Sequence, residues 1–224
     1  MTFLSRQIFS LCAVCACMLG ADTARAEDAQ YELPRYSVVQ KMGDFEIREY
    51  EPQIVAEVVM GGERCDAATR GFRALADFIF GENSQKTDLA MTAPVVQEQA
   101  PNTAASRALL PVNPQEDVWI VRFMMPAQYS METLPKPNDQ RVHIATIPGQ
   151  RTASVTFTGL WTDSNLEEHV KALEDFVATH GLKTTSKPIY AFYNDPFTWP
   201  WSRRNEIIVT LAPGQALKTL PAAQ

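Results

Sequence analysis

The chain has 224 residues and a formal charge of −6, from 20 Lys and Arg against 26 Asp and Glu. Its longest basic run is Arg203-Arg204, so it lacks the basic face expected of a generic phosphate-backbone binder, and no nucleic-acid partner is expected. Three of the four cysteines lie within the first 17 residues, which leaves Cys65 alone in the rest and excludes an intrachain disulfide there.

In chain order, the first element reads as an export signal. Arg6 supplies the charge, Ile8 to Leu19 the short apolar core, and Ala24-Arg25-Ala26 a small-x-small cleavage site. The expected organisation is a signal peptide over 1–26, an N-terminal segment over 27–35, one domain over 36–212 and a tail over 213–224, with a periplasmic or secreted destination. Lipidation at Cys17 is the rival reading, through Val14-Cys15-Ala16-Cys17. The mature chain has no apolar run of the roughly 20 residues a transmembrane helix needs, so no span is expected.

Two strands are expected at Phe45 to Tyr50 and Gln53 to Val59, rich in β-branched and aromatic residues. A first helix follows, with Ala68, Phe72, Leu75 and Ile79 as its apolar stripe, Arg70, Arg73 and Asp77 towards the other face, and Gly81 as its stop. Asn102 to Ser106, small and polar after Pro101, is the expected mobile loop. Strands at Val118 to Met124, Val142 to Ile147 and Ala153 to Thr158 precede a second helix, striped by Leu166, Val170, Leu173 and Val177 and opened by a capping-box pattern of Ser164 and Glu167. Strands at Ile189 to Tyr193 and Glu206 to Leu211 complete the series.

Ala74-Leu75-Ala76-Asp77-Phe78-Ile79 overlays Ala172-Leu173-Glu174-Asp175-Phe176-Val177, and upstream Ala56-Glu57-Val58 corresponds to Ala153-Ser154-Val155 at nearly the same offset. Two copies point to a pseudo-twofold domain and not to a solenoid. The fold class expected from these elements is α+β, a curved sheet with both helices packed on one side.

Leu89-Ala90-Met91-Thr92-Ala93-Pro94-Val95 resembles the segment after the first helix in the SOUL haem-binding family. Leu134-Pro135-Lys136-Pro137-Asn138-Asp139, Val155 to Gly159, and Asp195-Pro196-Phe197 leading into Arg203-Arg204-Asn205-Glu206 resemble further family segments in the same order. The resemblance covers Tyr36 to Leu211. It implies a distorted β-barrel of two pseudo-symmetric strand-helix repeats with two main helices packed on the sheet. It also implies a small-molecule partner, haem or another porphyrin, held in a shallow apolar cleft beside the first helix.

What a porphyrin requires is a broad apolar wall and basic groups for its propionates. The candidates drawn from the resemblance are Thr69, Arg70, Phe72, Arg73 and Ala76 on the first helix and Trp199 and Trp201 in the aromatic loop Pro196 to Trp201. Phe72 and the two tryptophans are expected to form the wall, and Arg70 or Arg73 to meet a carboxylate. Basic positions proposed for this contact in some relatives fall here at Thr69 and Trp199.

The remaining chemistry-bearing residues have plainer expectations. Cys65 reads as a small, partly buried side chain, His143 and His169 as surface residues, and His180 as a helix-terminal one. Met91, Met124, Met125 and Met131 read as core filling, and Arg203-Arg204-Asn205-Glu206 as a structural strand entry. No His pair has metal-site spacing, and no nucleophile motif is present. The expected function is a non-catalytic tetrapyrrole-binding protein. Alternatives are an enzyme acting on a tetrapyrrole or small apolar substrate, using Cys65 or an Arg or Glu near the cleft, and an interaction module that docks through the aromatic loop.

Overall fold

Side chains alternate between two apolar environments along the central strands, and this fixes the architecture. In β3 (Gln53–Gly61), Ala56, Val58 and Met60 pack beneath a helix, whereas Gln53 and Val55, on the alternate face, line the hollow of a curled sheet. The structure, a computed structural model, describes residues 31–101 and 116–214. The export segment, the loop Asn102–Ser106 and most of the expected tail lie outside the described residues.

The other elements are β1 (Tyr36–Met42), β2 (Phe45–Tyr50), α1 (Arg64–Ile79), β4 (Val95–Gln99), β5 (Val118–Met124), β6 (Val142–Ile147), β7 (Gln150–Phe157), α2 (Asp163–Thr179), β8 (Ile189–Phe192) and β9 (Asn205–Thr210). The nine strands form one antiparallel sheet in the order β1-β2-β7-β9-β8-β4-β5-β3-β6. The fold is α+β as expected, and the distorted barrel takes the form of an open, curled half-barrel with both helices on its outer face.

Apart from β1, the order reads symmetrically about the β8–β4 boundary, with β2, β7, β9 and β8 answering β6, β3, β5 and β4. β2 pairs with β7 and β6 with β3, so each half borrows a strand from the other end of the chain. Neither half completes its sheet alone.

Two cores follow. Leu75, Phe78 and Ile79 of α1, each at most 1% exposed, pack on Val58 and Val121; Leu166, Leu173 and Val177 of α2 pack on Ala153, Val155 and Ile207. Each fully buried side chain of this size contributes about 1.5–3 kcal/mol.

The phase of α1 corrects the sequence stripe. Its buried line runs through Ala67, Gly71, Ala74, Leu75, Phe78 and Ile79, while Ala68 is half-buried and Phe72 is 39% exposed. The reason is Gly71: a Cβ there would lie 2.6 Å from Val121 Cγ2, so the helix approaches the sheet along a side with no side chain to register as apolar. Rotation about that contact leaves Phe72 on the flank. The start of α2 also differs from expectation. Thr162, not Ser164, is the N-cap, and its Oγ1 accepts from the Asn165 amide at 3.3 Å.

β1 and β4 have no counterpart among the expected strands. β1 is an edge strand with an exposed centre, and β4 is five residues long with the polar sequence Gln97-Glu98-Gln99 at its end. Neither carries a clear alternation.

Candidate functional site

The flank that Gly71 leaves open is one wall of a cleft of about 480 Å3 on the helical face. Cys65, Ala68, Thr69 and Phe72 recur at three- and four-residue spacing along α1 and face it together. The opposite side comes from Trp161, just before α2, and from Phe192, the last residue of β8, to Pro196; Met91 to Ala93, Val95 and Gln97 complete the wall between them.

Several contacts hold these walls in position. Phe72 meets Phe123 edge-on at a centroid distance of 5.3 Å. Trp161 lies 5.2 Å from Phe192, donates its indole N–H to Asn205 Oδ1 at 2.8 Å, and has the Arg203 guanidinium 4.5 Å over its ring. Arg64 spans from α1 to the start of α2, donating through Nη2 to Trp161 O at 3.1 Å and to Asp163 Oδ1 at 2.8 Å, and through Nη1 to Gln97 Oε1 at 3.4 Å. It ties the two helical halves at the cleft.

The segment Arg203-Arg204-Asn205-Glu206 has a structural role here. Arg203 donates through Nε to Thr198 O at 2.9 Å and through Nη2 to Pro196 O at 2.7 Å, clasping the aromatic loop. Glu206 is wholly buried and receives Arg48 at 2.6 and 2.9 Å, Arg204 at 2.7 and 3.0 Å and the Tyr193 hydroxyl at 2.8 Å. Burial alone would raise the Glu206 carboxyl, but the two guanidinium partners outweigh it and hold the group below the usual carboxylate range. Burial pushes the Tyr193 phenol well above its usual range, and the nearby Glu206 charge adds to the effect.

The sequence candidates separate into two groups. Thr69, Phe72 and Arg73 line the cleft. Thr69 donates to Cys65 O within its own helix at 2.8 Å, and Arg73 is exposed and makes no ion pair among the described residues. Arg70 turns away to Asp66 at 3.1 Å and to Gly61 O. Ala76 is half-buried one turn beyond the cleft wall. Trp199 and Trp201 stack on each other at 5.0 Å, are 66% and 69% exposed, and lie outside the cleft lining.

Cys65, expected to be partly buried, is an exposed free thiol on the cleft wall, because α1 is rotated about Gly71. Arg64, Trp161, Phe192 and Gln97 were not among the candidates. The spacing from Cys65 to Phe72 was the available signal for the α1 wall, whereas nothing local in the sequence brings Trp161 and Phe192 to it.

None of the three histidines lines the cleft. His143 is exposed on β6. His169, expected on the surface, is half-buried and stacked on Phe157 at 3.9 Å, its Nδ1 donating to Asn165 O at 2.7 Å. His180 is the buried C-cap of α2 and donates through Nδ1 to Phe176 O at 2.8 Å. Met91 is in the cleft wall, Met124 and Met125 are buried, and Met131 is exposed. No cluster of three or more metal-ligating side chains occurs among the described residues, and no helix there is long and apolar enough to cross a membrane.

The cleft therefore offers an aromatic and thioether wall, a thiol, and an unpaired guanidinium at its edge. Its volume falls within the roughly 300–1,000 Å3 typical of small-molecule sites. These groups fit a flat apolar ring system bearing carboxylates.

Comparison with known proteins follows the same line. Residues 31–210 match the family profile described as SOUL heme-binding protein. Heme-binding protein 2 of Mus musculus is 23% identical over 188 residues, covering 81% of this chain and 87% of the mouse protein. Among solved structures, the EcmrR C-terminal domain is similar with a TM-score of 0.55 at 13% identity, over 79% of this chain and 98% of that one. A hydrolase from Listeria innocua has a TM-score of 0.52 at 12% identity, over 78% of this chain and 94% of its own. At these identities the two structures speak to the fold alone.

Proposed function

Because the chain belongs to the SOUL heme-binding protein family, we propose that it binds haem or a related tetrapyrrole in the cleft beside α1, as an exported protein that holds its ligand without turning it over. The observation that carries this reading is the cleft itself, about 480 Å3 in volume, with Phe72, Met91, Trp161 and Phe192 in its walls and Arg73 unpaired at its edge.

Phe72, Trp161 and Phe192 would bury the macrocycle, and Met91 would adapt to its surface. Arg73 would pair with a propionate. The guanidinium of Arg64, already committed to Asp163, Trp161 O and Gln97, would keep the walls apart and aligned. Haem, when bound, supplies an iron whose redox and ligand-binding chemistry is its own. Binding by this cleft rests on apolar burial and needs no histidine from the chain.

The export segment read from Arg6, Ile8 to Leu19 and Ala24-Arg25-Ala26 supports a periplasmic or secreted location. The non-catalytic reading is supported by the match to a family described as heme-binding.

The test is an absorbance titration of the purified protein with ferric haem and with metal-free protoporphyrin. Saturable one-to-one binding of both is expected. Saturation by haem alone would shift the site to an iron ligand, and saturation by neither would remove the proposal.

A further inference from the structure

On the sheet face opposite the cleft, the curl encloses a second cavity of about 310 Å3. Strand β4 is the partition between the two. Val95 and Gln97 face the cleft, while Val96 and Glu98 face the cavity, as strand alternation requires. Val96, Met124, Ile189 and Ile208 give the cavity an apolar wall.

The charged groups beside that wall are already bound to one another. Arg122 donates through Nε to Glu57 at 2.7 Å and through Nη1 to Glu98, so two carboxylates share one guanidinium. This leaves no spare cation for an anionic ligand. A buried group that is not matched lies across from it: Thr152 lines the cavity, is 1% exposed, and its hydroxyl has no hydrogen-bond partner among the described residues. Buried polar groups are ordinarily paired. Its cross-strand neighbours do not supply the bond, because Arg48 is committed to Glu46, Tyr50 and Glu206, and the Thr210 hydroxyl donates to Gln150 Oε1 at 3.3 Å.

We propose that this concave cavity is a second ligand site, separate from the cleft, for a small, uncharged, largely apolar molecule with one hydrogen-bonding head group that meets Thr152. The volume suits a compact ligand at the lower end of the small-molecule range. The apolar wall takes the body of the ligand, and the unpaired hydroxyl selects its head.

The probe is N-phenylnaphthylamine, an uncharged apolar fluorophore with one N–H, titrated into the purified protein. A saturable, one-to-one rise in emission is expected. Thr152→Val, close in shape but without the hydroxyl, should bind about three- to tenfold more weakly, as the loss of one neutral hydrogen bond predicts. Ile189→Trp, which fills the cavity from β8, should abolish binding, and Phe72→Ala, on the opposite face, should separate the two sites by retaining it. Circular dichroism establishes that each variant is folded, and Thr152→Val decides the matter if the bulkier variant is not. Absence of saturable binding by the wild-type protein would overturn the proposal. So would loss in Phe72→Ala with full binding in Thr152→Val, which puts the probe in the cleft, or saturation by a cationic analogue with none by the uncharged probe.

Discussion

Arg48 and Glu206, 158 positions apart in sequence, face each other across β7 through two hydrogen bonds, Nη1 to Oε2 at 2.6 Å and Nη2 to Oε1 at 2.9 Å. They are 1% and 0% exposed. The pair joins β2 to β9, and through the Tyr193 hydroxyl on Glu206 it fixes the segment that leaves β8 to form the cleft wall. A fully desolvated ion pair of this kind gives little net stability against an apolar replacement, but removing one partner leaves an uncompensated buried charge.

Arg48→Met and Glu206→Gln should therefore each lower unfolding stability by about 3–5 kcal/mol in urea titrations. The double variant should lose much less than the sum, because the two act through one interaction. Additive losses would show that the pair is not coupled in the way its geometry implies.

The same network sets the response to pH. Glu206 and Glu46 are both held below the ordinary carboxylate value of 4.5 by their cationic partners, against the opposing effect of burial. The native state then binds fewer protons than the unfolded one just below that value. Stability is fully present above about pH 4.5 and falls as the pH drops through the native-state values. At the other end, burial pushes Tyr50 up to about 12 and Tyr193 well above its usual value of 10.0. The unfolded chain loses these protons first, so stability also falls as the pH rises above about 10. Thermal melts across the range should show both declines, and phenolate absorbance should show tyrosines that titrate only as the protein unfolds.

Arg73 is the exposed, unpaired cation at the cleft edge. Arg73→Gln should weaken protoporphyrin binding about threefold, in line with one solvent-exposed ion pair. The dimethyl ester of protoporphyrin should bind the wild type and this variant equally. A loss that persists with the ester would mean that Arg73 acts through packing and not through a propionate.

Much of this architecture was legible because it is written in periodicity. Phe45–Tyr50, Val118–Met124 and Val142–Ile147 form strands over the bounds expected from alternation and β-branched content, and both amphipathic helices are present. The site was less legible. Gly71 adds no apolar mark to the pattern yet decides which side of α1 touches the sheet, so the apolar stripe divides: Ala68 and Phe72 line the cleft, whereas Leu75 and Ile79 enter the core. The resemblance places Trp199 and Trp201 in the binding wall, but the Arg203 clasp on Pro196 and Thr198 directs the loop so that Pro196 reaches the cleft and the tryptophans lie outside its lining. Trp161 and Phe192 arrive by long-range topology, which no local pattern encodes.

Affinity for metal-free protoporphyrin, compared between Phe72→Ala and the double variant Trp199→Ala/Trp201→Ala, decides whether the ligand lies in the cleft beside α1. Phe72→Ala should lose about tenfold, equivalent to about 1.4 kcal/mol of wall contact, and the double tryptophan variant should keep wild-type affinity. Wild-type affinity in folded Phe72→Ala, with binding lost in the tryptophan variant, would contradict this placement and move the ligand from the cleft to the aromatic loop.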